Sequence, residues 1–114
     1  MVRIAKKLAA KCRHPRFFHV ALVVRGSATI SVGWNRNWTH AEEMALDNLE
    51  PKERRSSKVW SLRFTKTGKL ASAKPCPRCE AYLRDSGVKT VYYSTDTGEV
   101  KRLRLSSGQI RMAV

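Results

Sequence analysis

Residues 75–93 read PCPRCEAYLRDSGVKTVYY. Pro75 and a Cys-x-x-Cys pair open this stretch, and Gly87 supplies a residue at home in the left-handed conformation that ends helices. The pattern predicts a helix over Pro75–Ser86. The β-branched and aromatic run Val88–Tyr93 then predicts a strand. Just upstream, VWSLRF (Val59–Phe64) places Trp60, Leu62 and Phe64 on one face and predicts another strand. Downstream, Asp96-Thr97-Gly98 predicts a turn into a last strand, Glu99–Leu105.

The N-terminal half extends the same alternation of elements. FFHVALVVR (Phe17–Arg25) is apolar on both faces, which predicts a central strand. Gly26-Ser27 predicts a turn into Ala28–Trp34, where Ala28, Ile30, Val32 and Trp34 fall on one face, so the two strands should form a hairpin. THAEEMALDNL (Thr39–Leu49) predicts a helix with Thr39 as N-cap and acidic residues in its first turn. Ile4, Ala5, Leu8, Ala9 and Cys12 recur at helical spacing, with Lys6, Lys7 and Lys11 on the outer face, until Pro15 closes that helix. Pro51–Lys58 predicts a polar, basic loop. The order is helix, two strands, helix, strand, helix, two strands. It predicts one mixed α/β domain over residues 1–114, a sheet of about five strands with helices packed on it.

Composition bounds what such a domain can be. Its 114 residues, 42% hydrophobic, suffice for one modest core. A domain of this size buries only about two-thirds of its unfolded surface, so a metal tying distant segments together would add useful stability. No run of about 18 apolar residues exists, which excludes a membrane-crossing helix of ordinary length. The N-terminal residues lack the apolar core of a secretory signal. The 3 cysteines are an odd number, and a Cys-x-x-Cys beside proline suits a metal or redox site in a reducing compartment, so a cytoplasmic location is expected. Lys and Arg total 23 against 9 acidic residues, a net charge of +14. A domain this basic expects a polyanion, nucleic acid or nucleotide phosphate, as its partner.

Two short signals carry chemistry: His40-Ala41-Glu42 and Pro75-Cys76-Pro77-Arg78-Cys79. Zinc accepts imidazole nitrogen and thiolate sulfur, and three protein ligands leave its fourth position open to water. Cys76 and Cys79 stand three apart at a helix start, so their sulfurs converge, and the helix N-terminus favours thiolate. His40 opens the other helix. Glu42 lies one step further, where a carboxylate can take a proton from water and return it to leaving ammonia. A redox Cys pair is the weaker reading, because a thioredoxin-like setting is missing. A purely structural zinc would need a fourth ligand, for which Cys12, His14 and His19 are the candidates.

His-x-Glu followed by Pro-Cys-x-x-Cys is the signature of zinc-dependent nucleobase deaminases, and the chain resembles the cytidine and deoxycytidylate deaminase superfamily from Ile30 to about Tyr93. GWNRNWTHAEEMAL resembles that family's strand end, Asn-bearing loop and first zinc helix; PCPRCEAYLRDSGVKTVYY resembles its second zinc helix and following strand. The resemblance implies a cytidine-deaminase-like three-layer sandwich, with a mixed five-stranded sheet, both zinc helices on one face and Zn2+ as cofactor. It implies His40, Cys76 and Cys79 as metal ligands, Glu42 as the catalytic proton carrier and Asn35 as a sugar contact. Backbone near Ala41 and Cys76 would meet the pyrimidine or its attacking water, and Tyr93 would face the substrate. Family members often form dimers or tetramers, so a homo-oligomer is also implied.

The chain departs from the family in places. The stretch 43–74 between the motifs is long, and SAKPC lacks the Thr-Leu pair usual before the second motif in the tRNA and deoxycytidylate branches. A tight turn follows the fourth strand, which resembles the branch with an antiparallel final hairpin, as in free-cytidine deaminases, and argues against the adenosine branch. Trp38, two residues before His40, is a candidate for stacking on a base. Arg102 and Arg104, and separately Lys52, Arg54, Arg55 and Lys58, are candidate phosphate contacts. The expected function is zinc-dependent deamination of cytosine to uracil in single-stranded nucleic acid or a nucleotide. A deoxycytidylate or free cytidine deaminase is the alternative within the class, and a non-catalytic, zinc-stabilised nucleic-acid-binding module the alternative outside it.

Overall fold

The computed structural model describes residues 2–9, 17–35 and 40–105. Helix α1 (Val2–Ala9) precedes a hairpin of β1 (Phe17–Arg25) and β2 (Ala28–Trp34). Then come α2 (Ala41–Asp47), α3 (Pro51–Arg54), β3 (Lys58–Thr65), β4 (Leu70–Ala71), α4 (Pro77–Asp85), β5 (Thr90–Ser94) and β6 (Val100–Arg104). The sheet runs β2-β1-β3-β5-β6, and the two-residue β4 pairs with the end of β3. β3 and β5 are parallel. The other pairs are antiparallel, including the closing β5–β6 hairpin. This is the mixed α/β sandwich that the order of motifs implies.

The apolar run of β1 explains its place. It pairs on both edges, and Val20, Ala21, Leu22 and Val23 are each 0% exposed. Because side chains alternate along a strand, β1 feeds two separate clusters. Ala21 and Val23 join Ala41, Ala45, Leu46, Val59, Leu83 and Val91 beneath α2 and α4. Val20 and Leu22 join Leu62 and Phe64 on the opposite side, where α1 lies over β1 and β3. The apolar content is thus divided between two thin cores, one on each face of the sheet.

Helix α2 lies almost directly on β2. A Cβ built on Gly33 would stand 2.3 Å from the Ala41 carbonyl oxygen and 2.6 Å from the Ala45 nitrogen. Only glycine admits this approach. The Ser31 hydroxyl donates to the Ala45 carbonyl at 2.6 Å and ties the same helix to the strand.

Four local expectations are corrected. Ile30 does not share a face with Val32 and Trp34: the β1–β2 register shifts between Val23 and Val24, and Ile30 packs against the α2 side while Val32 packs against the other. A bulge of this kind reverses the side-chain alternation. The expected loop at Pro51–Lys58 begins with the single turn α3; Pro51 starts it, and the Glu50 N–H donates to Glu53 Oε1 at 2.9 Å. The first zinc-motif helix is capped by His40, whose backbone is extended and whose side chain makes no capping bond; Thr39 lies outside the described residues. β5 begins at Thr90, because Gly87 at φ +89° and the Val88 N–H bond to the Leu83 carbonyl prolong the helix exit. Among the described residues no helix is long and apolar enough to cross a membrane.

Candidate functional site

The N-termini of α2 and α4 meet at a cavity of about 380 Å³ lined by His40, Glu42, Glu43, Cys76, Arg78, Cys79 and Tyr82. Cys76 caps α4, and its sulfur accepts the Cys79 N–H at 3.5 Å. Tyr82, one turn beyond Cys79, donates its hydroxyl to Asp47 at 2.9 Å and clasps the two helices together. Burial, and then the Asp47 carboxylate, raise the Tyr82 phenol above its usual pKa, so it stays a donor.

The two thiols differ sharply. The Cys79 backbone N–H pulls the pKa of Cys76 below its usual value, as expected for sulfur at a helix N-terminus. Burial, reinforced by the hydrogen bond with Cys76 and by the Glu42 and Glu43 carboxylates, pushes Cys79 up to about 12. A divalent cation would favour the thiolate form of both sulfurs. An imidazole and two sulfurs on one cavity wall match the donor set zinc prefers. Among the described residues, however, no three such donors stand close enough to form a closed metal-holding group. His40 and Cys76 are exposed and can turn, while Cys79 is half-buried.

Glu42 is the most unusual group here. It is 3% exposed, and its Oε1 is buried with no hydrogen-bond partner. Its Oε2 accepts the Ser61 hydroxyl at 3.2 Å, and Ser61 Oγ lies 2.6 Å from His19 Nε2. An unpartnered buried carboxylate oxygen beside thiol and imidazole donors marks a place built to receive something polar. The sequence offers His19 only as a candidate fourth ligand of a structural zinc, and it does not single out Ser61. The available signal was strand parity: each residue sits between apolar neighbours and projects toward the α2 side.

The remaining expected site residues are placed as follows. Asn35 directly follows β2, where its Oδ1 accepts the His19 N–H at 3.1 Å and its own N–H donates to the His19 carbonyl at 3.1 Å. Ala41 is 0% exposed at the first turn of α2. Tyr93 is paired in register with Ser61 and packs against the helix-side core, and it is not among the cavity-lining residues. Trp38, Cys12 and His14 lie outside the described residues. Arg102 pairs with Tyr92, whose ring stacks on Trp60 at 4.5 Å. Strand parity therefore puts Arg102, Arg104 and Lys58 on the sheet face away from the cavity. Lys52 and Arg55 are exposed on and beside α3, while Arg54 turns back to donate to the Leu49 carbonyl at 3.0 Å.

A family model described as the cytidine and deoxycytidylate deaminase zinc-binding region matches residues 1–95. No curated protein matches the chain.

Proposed function

The chain belongs to the cytidine and deoxycytidylate deaminase family, whose matched region binds zinc, and on that premise we propose that it converts a cytosine base to uracil with release of ammonia. The observation that carries this reading is the cavity where His40, Cys76 and Cys79 meet Glu42 and its unpartnered oxygen. In this reading His40, Cys76 and Cys79 hold the metal. Zinc, when bound, supplies the Lewis acidity that makes water reactive near neutral pH. Glu42 takes a proton from the attacking water and delivers it to the departing amine. Its burial limits exchange of that proton with bulk solvent. Asn35 would contact the sugar, Trp38 would stack on the base, and Ala41 and Tyr93 would border the pyrimidine.

For the substrate, the net charge of +14 favours single-stranded nucleic acid. A second reading, a free cytidine or deoxycytidylate substrate, is favoured by the antiparallel β5–β6 hairpin and by Arg102 and Arg104 lying on the far side of the sheet from the cavity. The protein's solution state, as a monomer or homo-oligomer, and a cytoplasmic setting belong to the same proposal. One panel tests it: the zinc-loaded chain is assayed on cytidine, deoxycytidylate, and cytosine- and adenine-bearing oligonucleotides, with binding measured at several salt concentrations. A polymer substrate predicts a log–log salt slope of several units, and a single nucleotide about one or less. Failure to deaminate any cytosine substrate, with zinc bound, would return the chain to the class of non-catalytic binding modules.

A further inference from the structure

Glu42 is held on one side only, and the holding group comes from the sheet. Ser61 is 0% exposed on β3 and His19 is 5% exposed on β1. Both point to the α2 side, because Ala21 faces Ser61 in the β1–β3 register and His19 lies two residues before Ala21. A serine hydroxyl has one hydrogen. Its acceptors within reach are His19 Nε2 at 2.6 Å, Glu42 Oε2 at 3.2 Å and the Ala73 carbonyl at 3.5 Å, and the His19 tautomer decides among them. When Nε2 carries a hydrogen it donates to Ser61 Oγ, and the hydroxyl is left to donate to Glu42 Oε2. In that tautomer the order is His19 Nε2–H to Ser61 Oγ, and Ser61 O–H to Glu42 Oε2. The direct His19–Glu42 separation is 3.8 Å, so the hydroxyl is the connecting piece. Hydrogen bonds between His19 and the end of β2 fix the backbone that carries the imidazole.

We propose that His19 and Ser61 are positioning residues that lock Glu42 through Oε2 and reserve Oε1 for the proton that moves in the reaction. The two oxygens of one carboxylate thereby have different jobs. A carboxylate free to rotate would present either oxygen and would lose the alignment that proton transfer requires. The neutral Nε2–H imidazole supplies a donor without adding a positive charge that would pair with Glu42 and weaken it as a base. This inference rests on the reading of Glu42 as the proton carrier.

Two measurements test it on the whole chain, loaded with zinc for the kinetics. The first needs no turnover: nitrogen NMR on 15N-histidine-labelled protein should show His19 as the neutral Nε2–H tautomer, with and without zinc. A bare Nε2 and protonated Nδ1 would overturn the proton order. The second is steady-state kinetics on whichever cytosine substrate in the panel turns over. Ser61→Ala should lower kcat by about 10- to 100-fold with KM and zinc content unchanged, and His19→Gln, which keeps a donor near Nε2, should lose less than His19→Phe. A Ser61→Ala kcat within twofold of wild type, at full zinc content, would sink the positioning role and leave the deaminase reading intact. Absence of turnover on every substrate would sink the reading of Glu42 beneath it, while the tautomer would still decide the hydrogen-bond order. Should Ser61→Ala fail to fold, the His19→Gln and His19→Phe pair carries the kinetic comparison.

Discussion

On the α1 side of the sheet, β1 and β3 bury Val20, Leu22, Leu62 and Phe64. On the α2 and α4 side the same two strands bury His19 and Ser61 against Glu42. One register of alternating side chains thus supplies an all-apolar layer on one face and, on the other, a polar network set beside the apolar cluster of Ala21, Val23 and Val59. The first layer needs only shape and hydrophobicity. The second depends on its polar atoms answering one another, His19 Nε2 with Ser61 Oγ and Ser61 Oγ with Glu42 Oε2. The polar network is confined to one face of the sheet, so substitutions on the two faces should fail in different ways.

The largest expected effect is on the polar side. Glu42→Ala should cost up to about 10⁴-fold in turnover, close to 5 kcal/mol of barrier, while zinc content is retained. Loss of the metal along with activity would show that Glu42 is a ligand instead. Next comes the apolar side. Phe64 is 2% exposed, and Phe64→Ala should remove about 3–5 kcal/mol of stability. Denaturant unfolding should register that loss, with the zinc content of the folded fraction unchanged.

Gly33→Ala probes the boundary between strand and helix. The new Cβ would press on the α2 backbone, so the helix must move and carry His40 and Glu42 with it. A loss of about 1–3 kcal/mol is expected, together with weaker zinc binding. A variant equally stable and equally metalled would show that α2 yields freely at this point.

The smallest effect is a pH slope. Burial, helped by Arg63 and His40 and opposed by Glu42, holds His19 below its ordinary 6.5. The unfolded chain therefore takes up a proton below pH 6.5 that the folded chain resists. The stabilising contribution is complete above 6.5 and falls on acidification, by at most about 1.4 kcal/mol per pH unit. His19→Gln should flatten this part of the stability profile, as measured by urea unfolding between pH 7 and 5. An unchanged slope would assign the acid sensitivity to other groups.

The elements themselves were largely legible in the sequence, because β-branched runs and punctuation by Gly and Pro report local preference directly. β1, β2 and β3 lie where FFHVALVVR, ATISVGW and VWSLRF place them. Cys76 and Cys79 were legible as a pair for the same reason: their spacing is local. The bulge that turns Ile30 away from Val32 was not, since it depends on pairing with β1. Nor was the single turn at Pro51, where a four-residue helix leaves no periodicity and only the Glu50–Glu53 pair hints at it. His19 and Ser61 were hidden for a different reason. Each is a polar residue between apolar neighbours, and only the folded register brings them to Glu42 from positions far apart along the chain.

The parallel pairing of β3 with β5 also governs when the site can exist. Unlike a hairpin, it requires the whole segment between them to close as a crossover, and α4 with Cys76 and Cys79 travels inside that segment. His40 is on the other side of it. Long-range closures of this kind set folding rates, and under the proposed ligand set a metal gripped from both sides would have no complete coordination before the closure is made. Zinc should therefore leave the refolding limb of a chevron almost unmoved and lengthen the lifetime of the native chain, acting as a latch on a door already shut.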